Sequence, residues 1–255
     1  MKGVAVIPAR GGSVRLPRKN IKLLDGLPVI AHTIKLIKAS DLFDEILVSS
    51  DDEEILDIAQ EFGATITIKR AENLSGGQVP TLPVIQDALS SISIEEESPV
   101  CCVYPVNPLI FPETMDWTLK ILQAFPQANY VSTVVRYGFP IQRSLMVNQM
   151  LMSLVSPEHT YSMSQDLEPR FHETGQFWWG KAKSWMNGLP MQDSMIGFEL
   201  PEIAQQDVDN SSDWDLLELK FRFFSNQQSR ENCLRQIPNL GINRILLCNS
   251  GVDSD

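Results

Sequence analysis

The sequence is poor in positive charge. Its 21 Lys and Arg residues are outnumbered by 32 Asp and Glu residues, which gives a formal net charge of −11 at pH 7. Proteins bind nucleic acids through clustered Lys and Arg side chains that neutralise phosphates, so this balance disfavours a broad polyanion-binding surface. We therefore expect no nucleic-acid partner.

Long apolar runs and patterned cysteines are also missing. No run approaches the roughly 18 apolar residues that span a bilayer, and residues 1–20 lack the apolar core and cleavage site of a signal peptide. Cys101 and Cys102 are adjacent in an apolar run, whereas Cys233 and Cys248 stand alone, so the sequence has neither a CxxC metal site nor a disulfide framework. We expect a cytoplasmic protein with no membrane partner and with reduced cysteines.

Short apolar runs alternate with amphipathic segments along most of the chain. Helices are predicted over residues 28–40, 53–62, 83–92, 112–125 and 212–224. Strands are predicted over residues 2–7, 45–49, 64–68, 100–104, 130–135, 177–179, 195–200 and 245–247. This alternation predicts an α/β fold with a doubly wound, mostly parallel sheet, in which ligands bind at the carboxyl ends of the strands.

The alternation stops between residues 138 and 175, where the sequence is polar and rich in Met. We interpret this segment as an insertion into one domain of residues 1–224, where it provides ligand contacts or a subunit interface. Residues 225–255 form a tail to which the sequence assigns no role.

A basic loop follows the first strand. Between positions 10 and 22 this acidic chain has no acidic residue and five basic ones, namely Arg10, Arg15, Arg18, Lys19 and Lys22. The same loop contains Gly11, Gly12 and Ser13, so backbone N–H groups and guanidinium groups can converge on a triphosphate. The alternative is an ordinary solvated basic loop. The spacing matches neither the GxxxxGK[ST] nor the GxGxxG motif.

A pair of carboxylates precedes the last predicted helix of the domain. Asp207 and Asp209 are two residues apart, so on an extended segment both project to the same side. Such a pair suits Mg²⁺, which prefers oxygen ligands and is usually held by one or two carboxylates and substrate phosphates. The alternative is that Asp209 or Asn210 only caps the helix.

The basic loop is part of a longer signature that resembles the acylneuraminate cytidylyltransferases. The resemblance covers residues 4 to 224 and follows the family in order and spacing through Ile7–Ser13, Arg15–Ile21, Leu42–Ile46, Val48–Asp51, Gly63–Ala64, Arg70 and Leu74–Ser75. It implies a Rossmann-like nucleotidyltransferase fold, CTP as a substrate and Mg²⁺ as the cofactor. It also implies a homodimer formed through the insertion, with apolar surface from Met146, Met150, Leu151, Met152 and Leu154.

The same resemblance assigns roles to individual residues. Arg10 and Lys19 become the catalytic cations, and Asp207 and Asp209 become metal ligands. The remaining nucleotide-binding positions are Ala9, Gly11, Gly12, Ser13, Arg15, Asn20 and Arg70. Two departures from the family stand out. Val14 replaces a usual lysine, which leaves Arg15 as the substitute phosphate contact, and Gly76–Gly77 replaces acidic residues.

Strings in and after the insertion resemble the pseudaminic acid branch of this family, notably Pro140–Arg143, Ser164–Leu167 and His172–Gly180. An acidic nine-carbon sugar needs a cation for its carboxylate and polar partners for its acylamino groups. Side chains of these types are present at Gln142, Arg143, His172 and Gln176. The alternative for His172 is a structural role. We interpret Phe177–Trp179 as a buried core strand and not as a sugar-binding surface.

The implied function is transfer of CMP from CTP to pseudaminic acid. Two alternatives stay open: sialic or legionaminic acid as the acceptor, and a homologue that binds nucleotide or sugar without turnover. The presence of both basic-loop cations and both carboxylates favours the enzyme.

Overall fold

The structure is a computed structural model that describes residues 2–250, except for the side chains at positions 244, 245 and 248–250. Its strands are β1 Gly3–Pro8, β2 Leu23–Leu24, β3 Leu27–Pro28, β4 Phe43–Ser50, β5 Ile66–Lys69, β6 Pro99–Val103, β7 Tyr130–Arg136, β8 Leu145–Asn148, β9 Leu151–Leu154, β10 Phe171–Lys181 and β11 Met195–Glu199. Its α-helices are α1 Val29–Ala39, α2 Glu53–Phe62, α3 Thr81–Ser90, α4 Pro112–Ala124, α5 Ala182–Met186, α6 Ser211–Phe224, α7 Gln227–Gln236 and α8 Gly241–Ser250.

A seven-stranded sheet organises the molecule, with the strand order β11-β7-β10-β6-β1-β4-β5. Strands β6, β1, β4 and β5 pair in parallel, as do β11 and β7. Strand β10 is antiparallel to both of its neighbours. The predicted α/β fold with a mostly parallel sheet is confirmed, and β10 is the antiparallel member whose direction the apolar pattern did not show.

Helix α2 shows how local sequence sets an element. It begins after Asp52, whose side chain accepts a hydrogen bond from the backbone N–H of Ile55, and it ends at Gly63 with φ of 114°. Such a left-handed residue favours glycine. Ile55 and Ala59 are buried because they lie on the face turned towards the sheet.

The aromatic residues of β10 belong to the core, as predicted. Phe177, Trp178 and Trp179 are at most 1% exposed. Trp179 stacks on Phe43, with ring centroids 5.1 Å apart, and Trp178 meets Tyr130 edge to face on the other side of the sheet. Alternating side chains of one strand therefore fill the core on both faces.

The strand predicted at residues 245–247 is wrong, because these residues lie in α8. Three apolar residues are too few to distinguish a helical from a strand pattern. The buried face of the helix becomes visible only when Asn243 is considered with Leu247. Asn243 and Leu247, four residues apart, are both buried. The Asn243 side chain also bonds the backbone N–H and carbonyl of Glu199 at 2.7 and 2.6 Å, which attaches the tail to β11.

The insertion contains a small separate hairpin. Strands β8 and β9 pair only with each other in the described sheets. Its apolar side chains are exposed, with Met150 at 94%, Leu151 at 78% and Met152 at 67%. Elsewhere in the molecule, no helix within residues 2–250 combines the length and apolar character needed to cross a membrane.

Candidate active site

A cavity of about 460 Å³ lies at the carboxyl ends of the central strands. Arg10 follows β1, Arg70 follows β5 and Tyr104 follows β6, and all three side chains line it. This is the edge of the sheet at which doubly wound folds bind ligands, as the sequence predicted. The volume falls in the range of roughly 300–1,000 Å³ that is typical of small-molecule sites.

The basic loop forms one wall of the cavity. Arg10, Ser13, Arg15 and Lys19 all line it. Asn20 fixes the backbone of the loop. It is 6% exposed and donates a hydrogen bond of 2.8 Å from Nδ2 to the carbonyl of Arg10. The structure therefore gathers the predicted phosphate contacts around one space.

The small residues of the loop contribute to its shape. The Ala9 N–H donates to the Ser49 carbonyl at 2.9 Å, and the Gly11 N–H donates to Oδ1 of Asp51 at 2.8 Å. A Cβ atom at Gly11 would lie 2.7 Å from Oδ2 of Asp52, so a larger residue does not fit there. A Cβ atom at Gly12 would meet nothing within 4 Å. Nucleotide contacts at Ala9, Gly11 and Gly12 stay predictions.

Arg70 brings a buried positive charge to the cavity. It is 7% exposed, and its guanidinium donates to the hydroxyl and the carbonyl of Ser49 at 3.2 and 2.7 Å. Burial lowers the pKa of Arg70, and the nearby charge of Arg10 lowers it further, while Asp51 raises it. Two guanidinium groups that repel each other inside a cavity favour an anionic ligand between them.

The carboxylate pair lines the cavity next to the basic loop. Asp207 and Asp209 line the cavity, whereas Val208 between them is 1% exposed and packs in the core. This alternation is the one expected of an extended segment. Asn210, not Asp209, caps α6: its side chain accepts from the Asp213 N–H, and Asp213 completes a capping box. The side chain of Asp209 instead pairs with Arg15, with Nη2 of Arg15 2.7 Å from Oδ1 of Asp209.

The electrostatics of this pair fit a cation. Burial raises the pKa of Asp207, and the negative charge of Asp209 raises it further, while Lys19 lowers it. A divalent cation would relieve both effects. Among the described residues no group of three or more His, Cys, Asp or Glu side chains gathers as a metal site. Proteins usually bind Mg²⁺ through one or two carboxylates together with substrate phosphates, so a pair of carboxylates is sufficient here.

None of the four predicted sugar contacts is among the residues that line this cavity. Gln176 is 1% exposed and donates to the Ala204 carbonyl at 2.8 Å. Gln142 donates to the Glu168 carbonyl at 2.8 Å, and Arg143 lies 3.5 Å from the Ser164 hydroxyl. His172 is exposed and its ring contacts that of Tyr137, with centroids 4.8 Å apart. The structure does not bring these four residues together with the basic loop, and their sugar contacts stay predictions.

Several residues line the cavity without having been predicted, among them Tyr104, Asn107 and Glu173. Tyr104 lies beside Thr81, with the two hydroxyl oxygens 3.3 Å apart, and its pKa is raised by burial. Asn107 donates to the carbonyls of Tyr104 and Gly175 at 3.1 and 2.8 Å. Glu173 is the third acidic side chain on the lining. The position of Tyr104 at the carboxyl end of a predicted strand is the signal that could have identified it.

Comparison with solved structures agrees with this architecture. A structure of CMP:2-keto-3-deoxy-manno-octonic acid synthetase complexed with CTP superposes with a TM-score of 0.63 at 18% identity, covering 86% of this chain and 98% of that one. The likeness at this identity shows the fold alone, which is that of a nucleotidyltransferase.

The chain belongs to the cytidylyltransferase family, whose model matches residues 4–163. It is 32% identical over 227 residues to a pseudaminic acid cytidylyltransferase of Campylobacter jejuni, covering 87% of this chain and 97% of that one. It is 38% identical over 124 residues to the CMP-N,N'-diacetyllegionaminic acid synthase of Legionella pneumophila, covering 48% of this chain and 53% of that one. Family membership makes the protein a CTP-dependent nucleotidyltransferase.

Proposed function

We propose that the protein transfers CMP from CTP to the anomeric hydroxyl of pseudaminic acid, giving CMP-pseudaminic acid and pyrophosphate. The observation that carries this substrate is the similarity to the Campylobacter jejuni pseudaminic acid cytidylyltransferase over nearly the full length of both chains. The match to the legionaminic acid synthase covers less than half of this chain, which favours pseudaminic acid over legionaminic acid.

In this reaction the anomeric oxygen forms a bond to the α-phosphorus of CTP, and the bond between that phosphorus and the pyrophosphate oxygen breaks. The hydroxyl proton is released. Catalysis of such a transfer depends mainly on positioning and on stabilising negative charge. We assign that charge stabilisation to Arg10 and Lys19, which line the same cavity, and nucleotide positioning to Asn20 and Arg70.

Mg²⁺ is the cofactor that we propose, and Asp207 and Asp209 are the residues that would hold it. When bound, the cation supplies positive charge to the phosphate oxygens. The charge repulsion between these two carboxylates and the burial of Asp207 support this assignment.

The insertion supplies the sugar end and the subunit interface in this proposal. Arg143 offers a cation for the sugar carboxylate, while Gln142, His172 and Gln176 offer polar contacts to its other groups. The hairpin β8–β9 exposes several neighbouring apolar side chains, and burying them against a second copy would be favourable. The form that we propose is therefore a homodimer, and we place it in the cytoplasm.

The decisive experiment measures pyrophosphate release from CTP and Mg²⁺ with pseudaminic, N-acetylneuraminic and N,N'-diacetyllegionaminic acids. We expect the highest kcat/KM with pseudaminic acid, and little release when UTP replaces CTP. A higher kcat/KM for either other acid would replace the proposed acceptor. No release with any acid, from protein that still binds CTP, would identify a homologue without turnover.

A further inference from the structure

An ion pair connects the basic loop to the carboxylate pair. Nη2 of Arg15 lies 2.7 Å from Oδ1 of Asp209. Asp209 is also a proposed metal ligand. A guanidinium and a cation compete for the same carboxylate, because each needs its negative charge and its lone pairs. Arg15 and the metal are therefore alternative partners of Asp209.

Lys19 approaches the same carboxylate but is fixed differently. Its Nζ lies 3.9 Å from Oδ1 of Asp209 and donates a hydrogen bond to the carbonyl of Val208. The side chain of Lys19 is 23% exposed, whereas that of Arg15 is 69% exposed. Arg15 is thus the cation that can leave Asp209 without disturbing packed structure.

A triphosphate offers Arg15 a stronger partner than Asp209. Guanidinium groups bind phosphate through two parallel hydrogen bonds, and charge-assisted bonds to phosphate exceed a half-exposed ion pair in strength. Arg15 and Asp209 line the same cavity, so the phosphates would lie within reach of Arg15. The preceding residue, Val14, is 91% exposed and apolar, so it cannot bind phosphate through a charge. Arg15 is therefore the positively charged side chain at this point of the loop.

We propose that Arg15 is a counterion switch, which neutralises Asp209 until nucleotide enters and then moves to the triphosphate. Metal and CTP consequently bind with positive cooperativity, because Arg15 weakens the binding of metal when nucleotide is absent. The inference rests on the proposed function, since it takes Asp209 as a metal ligand. Arg15 acts here as a positioning residue that decides when the metal site becomes available.

The test is a titration of Mn²⁺, followed by its paramagnetic resonance signal, into wild type, Arg15→Gln and Arg18→Gln. Arg18 is the matched control, because it lies in the same loop but pairs with Asp52 and Glu54. Without nucleotide, we expect Arg15→Gln to bind Mn²⁺ about fivefold more tightly than wild type, the upper end for loss of a half-exposed ion pair. Arg18→Gln should bind as wild type does.

The same titration with a non-hydrolysable CTP analogue should remove the advantage of Arg15→Gln, because Arg15 then binds phosphate in wild type. The variant should also bind the analogue more weakly. A purely structural role for Arg15 would not produce opposite changes in metal and nucleotide affinity. Unchanged melting temperatures would verify that both variants are folded.

Two results would overturn the switch alone and leave the proposed function standing. One is equal Mn²⁺ affinity of wild type and Arg15→Gln without nucleotide, and the other is the same gain in Arg18→Gln, which would indicate a general charge effect. If wild type fails to bind Mn²⁺ even with the analogue, the metal assignment under the proposed function is wrong, and the switch is wrong with it. If Mn²⁺ binds with the analogue and only the Arg15 effect is missing, the metal assignment survives.

Discussion

The nucleotide end of the cavity and the inserted segment differ in how their side chains are held. At the nucleotide end, Asn20 and Arg70 are nearly buried and bonded to backbone carbonyls at the carboxyl ends of strands. In the insertion, Gln142 and Arg143 bond to neighbours within the insertion, and the β8–β9 hairpin is exposed. The sheet pre-organises the first region, whereas the side-chain contacts of the second are local to the insertion.

The largest effect should come from the metal carboxylates at the pre-organised end. Asp209→Asn removes one charge, and metal-bound CTP should then be misplaced. Even about 1 Å of misplacement costs roughly 10²-fold in rate, so we expect pyrophosphate release at millimolar Mg²⁺ to be nearly abolished. The melting temperature without ligand should hardly change, because Asp209 makes a half-exposed ion pair and does not cap α6.

Asn210→Ala is the converse control for this prediction. It removes the side chain that caps α6, so it should melt earlier, by the equivalent of about 1 kcal/mol in the free energy of unfolding. Its activity per folded molecule should remain within a few-fold of wild type, on the order expected for a residue without a charge-stabilising role. If Asp209→Asn melts early and keeps full activity, Asp209 has a structural role instead.

Arg10→Ala should lower kcat by about 10²-fold, the scale seen when one charge-stabilising donor is lost. Arg10 lines the cavity beside Arg70, where negative charge develops in the proposed reaction. Arg18→Ala removes the same charge from the same loop but from a residue paired with Asp52 and Glu54, so its kcat should stay close to that of wild type. Near-normal turnover in folded Arg10→Ala would remove Arg10 from catalysis.

A smaller effect is expected at Gly77. A Cβ atom there would lie 3.1 Å from Nη1 of Arg10, whereas one at Gly76 would meet only Val79, at 3.6 Å. Gly77→Ala should therefore displace Arg10 by a few tenths of an ångström and lower kcat/KM by roughly threefold to tenfold. Gly76→Ala is the matched control and should behave as wild type. Equal loss in both variants would mean that backbone flexibility, not space for Arg10, requires the glycines.

The same contrast explains what the sequence could predict. The basic loop follows a strand end and the carboxylate pair depends on alternation along an extended segment, and both are local properties. Arg70 came only from the family resemblance. The lining of one cavity includes Arg10, Arg15, Lys19, Arg70, Asp207 and Asp209, but neither Arg18 nor Lys22. Most helices and strands were also predicted, because their apolar periodicity is long enough to identify them.

Other features depend on contacts that no local pattern contains. The antiparallel direction of β10 is set by where the chain returns from the insertion, and an apolar run is the same in either direction. Tyr104 and Glu173 come from different strands, so only the folded sheet brings them to the same cavity. The predicted strand at 245–247 was wrong because three apolar residues carry no period.

The hairpin of the insertion offers a test of the less organised region. Leu151→Asp places a charge on the exposed apolar surface, and burying it in a dimer would be costly. In sedimentation at micromolar concentration, we expect wild type to be a dimer and the variant a monomer with an unchanged α/β circular dichroism spectrum. Tyr161→Asp, 94% exposed in the insertion but outside the hairpin, should remain a dimer. A monomeric wild type would leave the hairpin without an interface role.

The smallest effect should be on stability, and it comes from Asp207. Burial, together with repulsion from Asp209, raises the pKa of Asp207 above its ordinary value. Between the unfolded and the raised folded pKa, the native protein binds more protons than the unfolded chain, so this carboxyl favours folding more as the pH falls. At neutral pH both states are ionised, and the charge of Asp207, a side chain that is exposed yet partly desolvated and close to Asp209, slightly destabilises the fold. Asp207→Asn should therefore raise the melting temperature at neutral pH by about 1–2 °C, and the gain should shrink as the pH falls through the folded pKa.

Asp215→Asn on the exposed face of α6 is the control, since it removes the same charge from this acidic protein without relieving burial. Mg²⁺ with CTP should raise the melting temperature of wild type and of this control, but hardly that of Asp207→Asn, because a bound ligand stabilises only a fold that can hold it. The affinity of metal-free wild type for Mg²⁺ should also fall on the acid side at a higher pH than an ordinary carboxyl would give, because a proton on Asp207 competes with the metal. A lower melting temperature for Asp207→Asn at neutral pH would mean that the carboxylate stabilises the fold. Its electrostatic cost would then no longer support a cation site.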